Sequence, residues 1–189
     1  MPSATNYLIV HGAFGSPQEN WFPWLKTKLQ QSGGTVFVPQ FPTPDNQNLI
    51  TWQKVASVTL KDCDPAHTVL IGHSTGAVFV LRMAEQARQP FKAVFSVCPF
   101  MEALGNPTFD PLNASFVTSP FNAVACKKGA LKITCFAGDN DPYVPLASSK
   151  DVANKVGAEL IMIAKGGHLN ADAGYVEFPQ LLDRVRTES

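Results

Sequence analysis

The stretch "VLIGHSTGAVFVL", residues 69–81, passes from strand character into helix character, and the join is Gly72-His73-Ser74-Thr75-Gly76. A serine stands between two glycines where the chain must turn most sharply. Three readings compete: a bare turn, a phosphate-cradling loop, and a turn built to hold Ser74 out as a nucleophile. No Gly-Lys-Ser or Gly-Lys-Thr follows, which argues against the phosphate loop. The strand-to-helix context is that of a nucleophile elbow, in which small neighbours let the helix approach the strand. The elbow also points the amide after the serine, here Thr75, at a developing oxyanion.

Outward from this junction, apolar runs alternate with helical patterns along the whole chain. Strand-like runs occur at 7–12, 35–41, 68–73, 92–99, 131–138 and 158–167, most of them apolar at consecutive positions. That pattern suits parallel strands buried on both faces. Helical stretches fill the gaps at about 20–32, 50–63, 75–88, 119–128, 148–156 and 175–186, with Asn20 as a candidate N-cap and Pro23 in the first turn. The expectation is an α/β fold: a mostly parallel sheet of about six strands with helices on both faces.

Composition bounds the rest. A chain of 189 residues with 45% hydrophobic content and no visible linker fits one domain, 1–189. Fifteen basic residues balance fifteen acidic ones, so nothing marks a nucleic-acid or anionic-membrane partner. The start, "MPSATNYLIVHG", lacks a basic n-region, and no stretch approaches the roughly 20 apolar residues of a membrane span. Cys63, Cys98, Cys126 and Cys135 have no CxxC spacing and are expected as free thiols, most of them buried, in a soluble cytoplasmic protein.

Ligands of such a sheet bind outside the carboxyl ends of the strands, so the loops after strands matter most. A nucleophilic serine needs a base, and the base needs an orienting acid, in the chain order Ser, acid, His. Of the four histidines, His11 reads as structural and His67 as surface. His73 should be turned away from the pocket by strand alternation. His168, after "AKGG" at the end of the last strand, is the candidate base. The acid lies in "AGDNDPYVP", where Asp141 at the turn is favoured over Asp139. "HGAFG" supplies the second oxyanion amide, Ala13 in preference to Phe14, whose ring is expected beside the pocket. No His-x₃-His or clustered-cysteine pattern is present, so neither metal nor cofactor is implied.

The excursion at about 99–118 leaves the fourth strand at the same edge and exceeds the usual connection of 2–6 residues. It is expected to form a wall or short lid, with Phe100 and Phe109 in the substrate pocket. The alternative is that its rings, Phe116 included, plug the core. Trp21, Phe22 and Trp24 read as the packed face of the first helix rather than as anchors for a protein partner.

These features together resemble the α/β-hydrolase superfamily, and in detail the small serine hydrolase family that includes retinoblastoma-binding protein 9. The resemblance is carried by "HGAFGSPQENWFPWLKTKL", "GHSTGA", "DPYVP" and "GGHLN", and spans nearly the whole chain. It implies a single minimal hydrolase domain with Ser74, Asp141 and His168 as the triad. The chain departs in lacking Leu-x-Cys-x-Glu, which "LKDCD" (60–64) does not match. The implied activity is hydrolysis of a small-molecule ester, thioester or amide through an acyl-enzyme at Ser74. The rival is a hydrolase-like interaction domain.

Overall fold

The computed structural model describes residues 5–188. Six strands, β1 (Asn6–Val10), β2 (Thr35–Phe37), β3 (Thr68–His73), β4 (Ala93–Val97), β5 (Ile133–Gly138) and β6 (Glu159–Ile163), form one sheet in the order β2-β1-β3-β4-β5-β6. Every pairing is parallel. The consecutive apolar residues follow from burial on both faces. Leu8, Val10, Leu70, Val94 and Cys135 point to one side, and Ile9, Ile71, Phe95 and Phe136 to the other.

Each face is covered by helices. On one lie α1 (Phe22–Gln31), through Leu25 and Leu29, and α7 (Pro179–Glu188), through Leu181 and Val185. The other carries α2 (Leu49–Thr59), α3 (Thr75–Glu85), α4 (Asp110–Val117), α5 (Ala123–Lys128) and α6 (Leu146–Val156). Their anchors there are Trp52, Phe79, Phe116, Cys126 and Val152. Trp21 and Phe22 are fully buried, which removes them as partner anchors. The cysteines are free, and all but Cys63 are buried. No described helix is long and apolar enough to cross a membrane.

Strand order positions the site. The chain runs from β1 outward to β2 and then returns to the far side of β1 as β3. Order therefore reverses between β1 and β3, and a crevice opens at their carboxyl ends. The turn from β3 into α3 is tight enough to require its two glycines. A Cβ on Gly72 would lie 2.1 Å from the Gly76 carbonyl oxygen, and one on Gly76 would lie 2.4 Å from that of Val10. Between them Ser74 takes φ 57° and ψ −120°, a conformation that costs about 1–3 kcal/mol for a non-glycine residue. Its amide donates to the Val97 carbonyl at 2.9 Å, holding the turn against β4.

Several boundaries differ from the sequence-based expectation. The second strand stops at Phe37, since Pro39 and Pro42 cannot donate to a ladder. The sixth stops at Ile163, before left-handed turns at Lys165 and Gly167. Asn20 does not cap α1: Trp21 holds the cap position, and Asn20 accepts from the Ala171 amide at 2.8 Å. The 99–118 excursion contains a helix that the sequence pattern does not announce. Pro111 opens α4, and the Asp110 carboxylate accepts from the Leu104 and Gly105 amides at 2.9 and 2.8 Å.

At its far end Phe116 is core, packed edge-on to Trp52 at 5.0 Å. Buried Arg82 on α3 fixes the segment that follows, donating to the carbonyls of Phe116, Ser119 and Pro120 and pairing with Glu85. Phe116→Ala should therefore lower the free energy of urea unfolding by about 3–5 kcal/mol. A loss under about 1 kcal/mol would show that the ring does not carry the core.

Candidate active site

The loop after β5 brings an acid to the loop after β6. His168 Nδ1 lies 2.7 Å from Asp141 Oδ2, and the two side chains are 9% and 2% exposed. A carboxylate only accepts, so Nδ1 carries the proton and Nε2 is the nitrogen left for other work. The other Asp141 oxygen accepts from the Tyr143 and Val144 amides at 2.8 and 3.0 Å. Burial alone would raise the Asp141 pKa. The hydrogen bond and charge of His168, with the two amides, outweigh it and leave the pKa below its ordinary value. Asp139 is exposed and accepts from the Lys165 amide at 2.7 Å, a turn-bracing role.

A second histidine supports this loop from behind. His73 Nε2 is 2.8 Å from the His168 carbonyl oxygen, so that nitrogen is the protonated one. Its ring also stands edge-on to the His168 ring at 4.8 Å. Strand alternation was expected to turn His73 away from the pocket. The residue borders the cavity, and its ring holds the His168 main chain. Cys98 Sγ donates weakly to the same carbonyl at 3.5 Å, and Trp21 Nε1 donates to the Leu169 carbonyl at 3.0 Å. Burial, followed by repulsion from His168, lowers the His73 pKa to about 3.

The loop after β1 lies against the elbow. A Cβ on Gly12 would fall 3.0 Å from Ser74 Cβ and 3.5 Å from its Oγ. Phe14 takes a left-handed φ of 56°, and its amide donates to Thr43 Oγ1 at 2.7 Å. That amide is committed elsewhere, which leaves Ala13 as the oxyanion candidate from this loop. His11 is structural: Nδ1 donates to the Gly12 carbonyl at 2.8 Å, and Nε2 accepts from the Phe41 amide at 3.0 Å. Burial lowers its pKa as well. His67, on the surface as expected, pairs with Asp64.

Ser74, His168 and Ala13 line one cavity of about 580 Å³, together with Phe100, Phe109 and Tyr143. Phe14 is not among the lining residues but stands edge-on to Phe109 at 5.7 Å. Phe109 in turn meets Tyr143 at 5.8 Å, and Tyr143 meets His168 at 5.0 Å. Tyr143 was not among the sequence-based candidates, although it sits within the "DPYVP" run that contains Asp141. The excursion therefore divides its rings: Phe109 borders the cavity, Phe116 is core, and Phe100, buried in the same core cluster, reaches the cavity wall.

Among the described residues, His73, Cys98 and His168 place one ligand-type atom each within 4.8 Å of one another. His168 Nδ1 is held by Asp141 and His73 Nε2 by a carbonyl, so only the opposite ring nitrogens remain for ligation. Burial and the nearby Asp141 carboxylate push the Cys98 thiol well above its ordinary range, keeping it protonated.

The family model described as "Serine hydrolase" matches residues 7–187. YdeN of Bacillus subtilis (strain 168), named as a hydrolase, is 31% identical over 180 residues, covering 93% of this chain and 91% of that protein. Serine hydrolase RBBP9 of Rattus norvegicus is 26% identical, covering 99% and 97%. The crystal structure of the ydeN gene product superposes with a TM-score of 0.89 at 28% identity, over 98% of both chains. Est1E of Butyrivibrio proteoclasticus, solved with ferulic acid, gives 0.73 at 17% identity over 97% and 90% and shares the fold. The architecture is that of a minimal α/β hydrolase.

The buried histidine has a consequence for stability. In the folded chain His73 stays neutral down to about pH 3, whereas the unfolded chain takes up that proton near 6.5. Above about 6.5 both states are neutral and the group contributes nothing. As pH falls from there towards 3, stability is lost at up to about 1.4 kcal/mol per pH unit. Asp141 acts in the same sense, because its contribution is present above the ordinary carboxylate range and disappears as pH falls through its lowered folded value. Urea unfolding at pH 7, 6, 5 and 4 should show this fall. His73→Gln, which keeps a donor but cannot titrate, should flatten it. An equal slope in the variant would show that His73 is not held neutral.

Proposed function

The chain belongs to the serine hydrolase family, and on that premise we propose that it cleaves a small ester, thioester or amide through an acyl-enzyme at Ser74. The observation that carries the proposal is the 2.7 Å Asp141–His168 pair, whose imidazole borders the same cavity as the strained serine of the elbow. Ser74 Oγ attacks the acyl carbon while His168 Nε2 takes its proton. His168 then returns that proton to the leaving group, and a water activated the same way clears the acyl-enzyme. Asp141 holds Nδ1–H in place and, kept ionised by its hydrogen bonds, stabilises the imidazolium. The amides of Ala13 and Thr75 receive the oxyanion. The 99–118 excursion forms the acyl wall, with Phe109 and Phe100 at the cavity and Phe14 at its outer edge. The cavity volume lies within the range of small-molecule sites, roughly 300–1,000 Å³.

A fluorophosphonate probe should label Ser74 in the intact protein, and Ser74→Ala should abolish labelling without lowering the melting temperature appreciably. Labelling that persists in the variant would put the nucleophile elsewhere. Asp141→Asn should cut kcat by several orders of magnitude, by comparison with the roughly 10⁴-fold effect in another triad enzyme. Asp139→Asn should have little effect, and the reverse ranking would transfer the role of acid to Asp139.

The wall can be tested by chain length. Phe109→Ala should raise kcat/KM for longer acyl esters relative to acetyl by about 10-fold or more, since one methylene in an apolar pocket is worth about 1–3 kcal/mol. A flat profile in a destabilised protein would assign Phe109 to packing instead.

A further inference from the structure

A chain of side-chain hydrogen bonds joins the two segments that flank the oxyanion position, and it has no part in the acyl-transfer steps themselves. It begins at the Phe14 amide, which donates to Thr43 Oγ1 at 2.7 Å. The Thr43 hydroxyl donates onward to Gln47 Oε1 at 2.6 Å. Gln47 Nε2 donates at 3.3 Å both to Asn113 Oδ1 and to the Leu112 carbonyl. From the opposite side, the Thr75 hydroxyl donates to the same Asn113 Oδ1 at 2.7 Å. Donors and acceptors alternate without conflict along the whole path. Gln47, Asn113 and Thr75 are buried, so a broken link would leave a polar group without water to replace its partner.

We infer that Gln47 and Asn113 are positioning residues that set the separation of the Ala13 and Thr75 amides. The inference rests on the proposed roles of those two amides. An oxyanion hole works because its donors are already aimed when charge develops, and two amides on separate loops need a common reference to stay aimed. At the Thr75 end, the side chain of the donor residue itself is tied to Asn113. At the other end, the Phe14 amide belongs to the peptide unit directly after Ala13, so its bond to Thr43 fixes the backbone on one side of the donor. Between the ends, Gln47 spans from the loop before α2 to α4.

The bridge also ties the hole to the excursion. Asn113 lies on α4, borders the cavity, and is carried by the helix that Phe116 and Arg82 fasten to the body of the protein. One element thus forms part of the acyl wall and holds the oxyanion donors. A ligand that displaces α4 would move both together.

The test uses pairs of variants in the full chain, with p-nitrophenyl acetate as substrate and an aryl trifluoromethyl ketone as inhibitor. The ketone accepts Ser74 Oγ at its carbonyl carbon, the serine proton passes to His168, and the resulting oxyanion occupies the hole. Thr75→Val and Thr43→Val each delete one hydroxyl at nearly constant shape, and Thr75→Ser and Thr43→Ser restore it. Gln47→Met deletes the centre of the bridge.

The valine and methionine variants should lose about 10- to 100-fold in kcat with KM within about twofold, a misalignment smaller than the 10²–10³-fold cost of deleting a donor outright. The inhibition constant of the ketone should rise by the same factor as kcat falls. Both serine variants should return to within about threefold of wild type. Because the bridge acts as a unit, Gln47→Met combined with Thr75→Val should lose little more than either alone.

The inference is overturned if the valine variants keep wild-type kcat, or if the serine variants are as impaired as the valine ones. It is also overturned if KM, rather than kcat, carries the loss. Should Gln47→Met fail to fold, the Thr75 and Thr43 pairs decide the question by the same criteria. A wild type that neither labels with fluorophosphonate at Ser74 nor turns over the ester defeats the hydrolase reading. Normal labelling and turnover with unaffected bridge variants defeats the positioning role alone.

Discussion

The approach of α3 to the edge of the sheet constrains everything around it. With no Cβ on Gly72 or Gly76, the first turn of the helix closes onto β3 and reaches the end of β1, backbone against backbone. The serine between them is forced to a positive φ, and the strain is held by the Ser74 amide bond to β4 and by the buried length of α3. A turn this tight has a functional by-product. It sets Ser74 at the cavity beside the crevice where strand order reverses, with the Ser74 amide turned to β4. The same contact brings Gly12 against Ser74, so the elbow and the loop after β1 are placed by one packing event rather than by two.

Three histidines differ in where their hydrogen bonds go. His11 and His73 are buried, each has a ring nitrogen committed to the backbone, and burial depresses the pKa of both. They serve as rigid hydrogen-bonding struts. His168 differs in where its bonds go: Nδ1 meets a carboxylate, and its backbone carbonyl, not its ring, receives His73. The loop is fixed by its main chain while one ring nitrogen stays uncommitted to Asp141. Asp141 completes the arrangement by dividing its own oxygens, one bracing the turn through two amides and one holding the imidazole.

Much of this was legible in the sequence because the signals were local. Burial on both faces writes consecutive apolar residues, so six strands could be placed, and the loops after them pointed to Ser74, Asp141 and His168. The features that were not legible depend on distant partners or on weak local cues. Helix α4 is short and begins at Asp-Pro inside a stretch rich in Pro, Phe and Asn, which reads as an irregular connection. Asn20 has good capping chemistry but is drawn to Ala171, 151 positions away. The contact between Gln47 and Asn113 spans 66 positions, and no periodicity marks either residue. His73 was expected to turn away from the pocket, yet it borders the cavity, and its attachment to the His168 carbonyl becomes visible only once the last loop folds back over β3.

The site rests on a small sheet with few elements to support it, and the excursion after β4 compensates. A helix of eight residues would be marginal alone, since helical segments this short depend on tertiary packing. Its polar links run in two directions, from Arg82 on α3 to its final turn and from Asn113 to Thr75 and Gln47. Apolar contact through Phe116 adds a third tie, to Trp52 on α2. Phe109, just before the helix, is left facing the cavity with one partner on each side, Phe14 and Tyr143. On the proposed mechanism, the firmly held part of the excursion supports the reaction centre, and the part with fewer ties borders the space for the acyl group. Chain-length preference could accordingly change at Phe109 without disturbing the residues that hold Thr75.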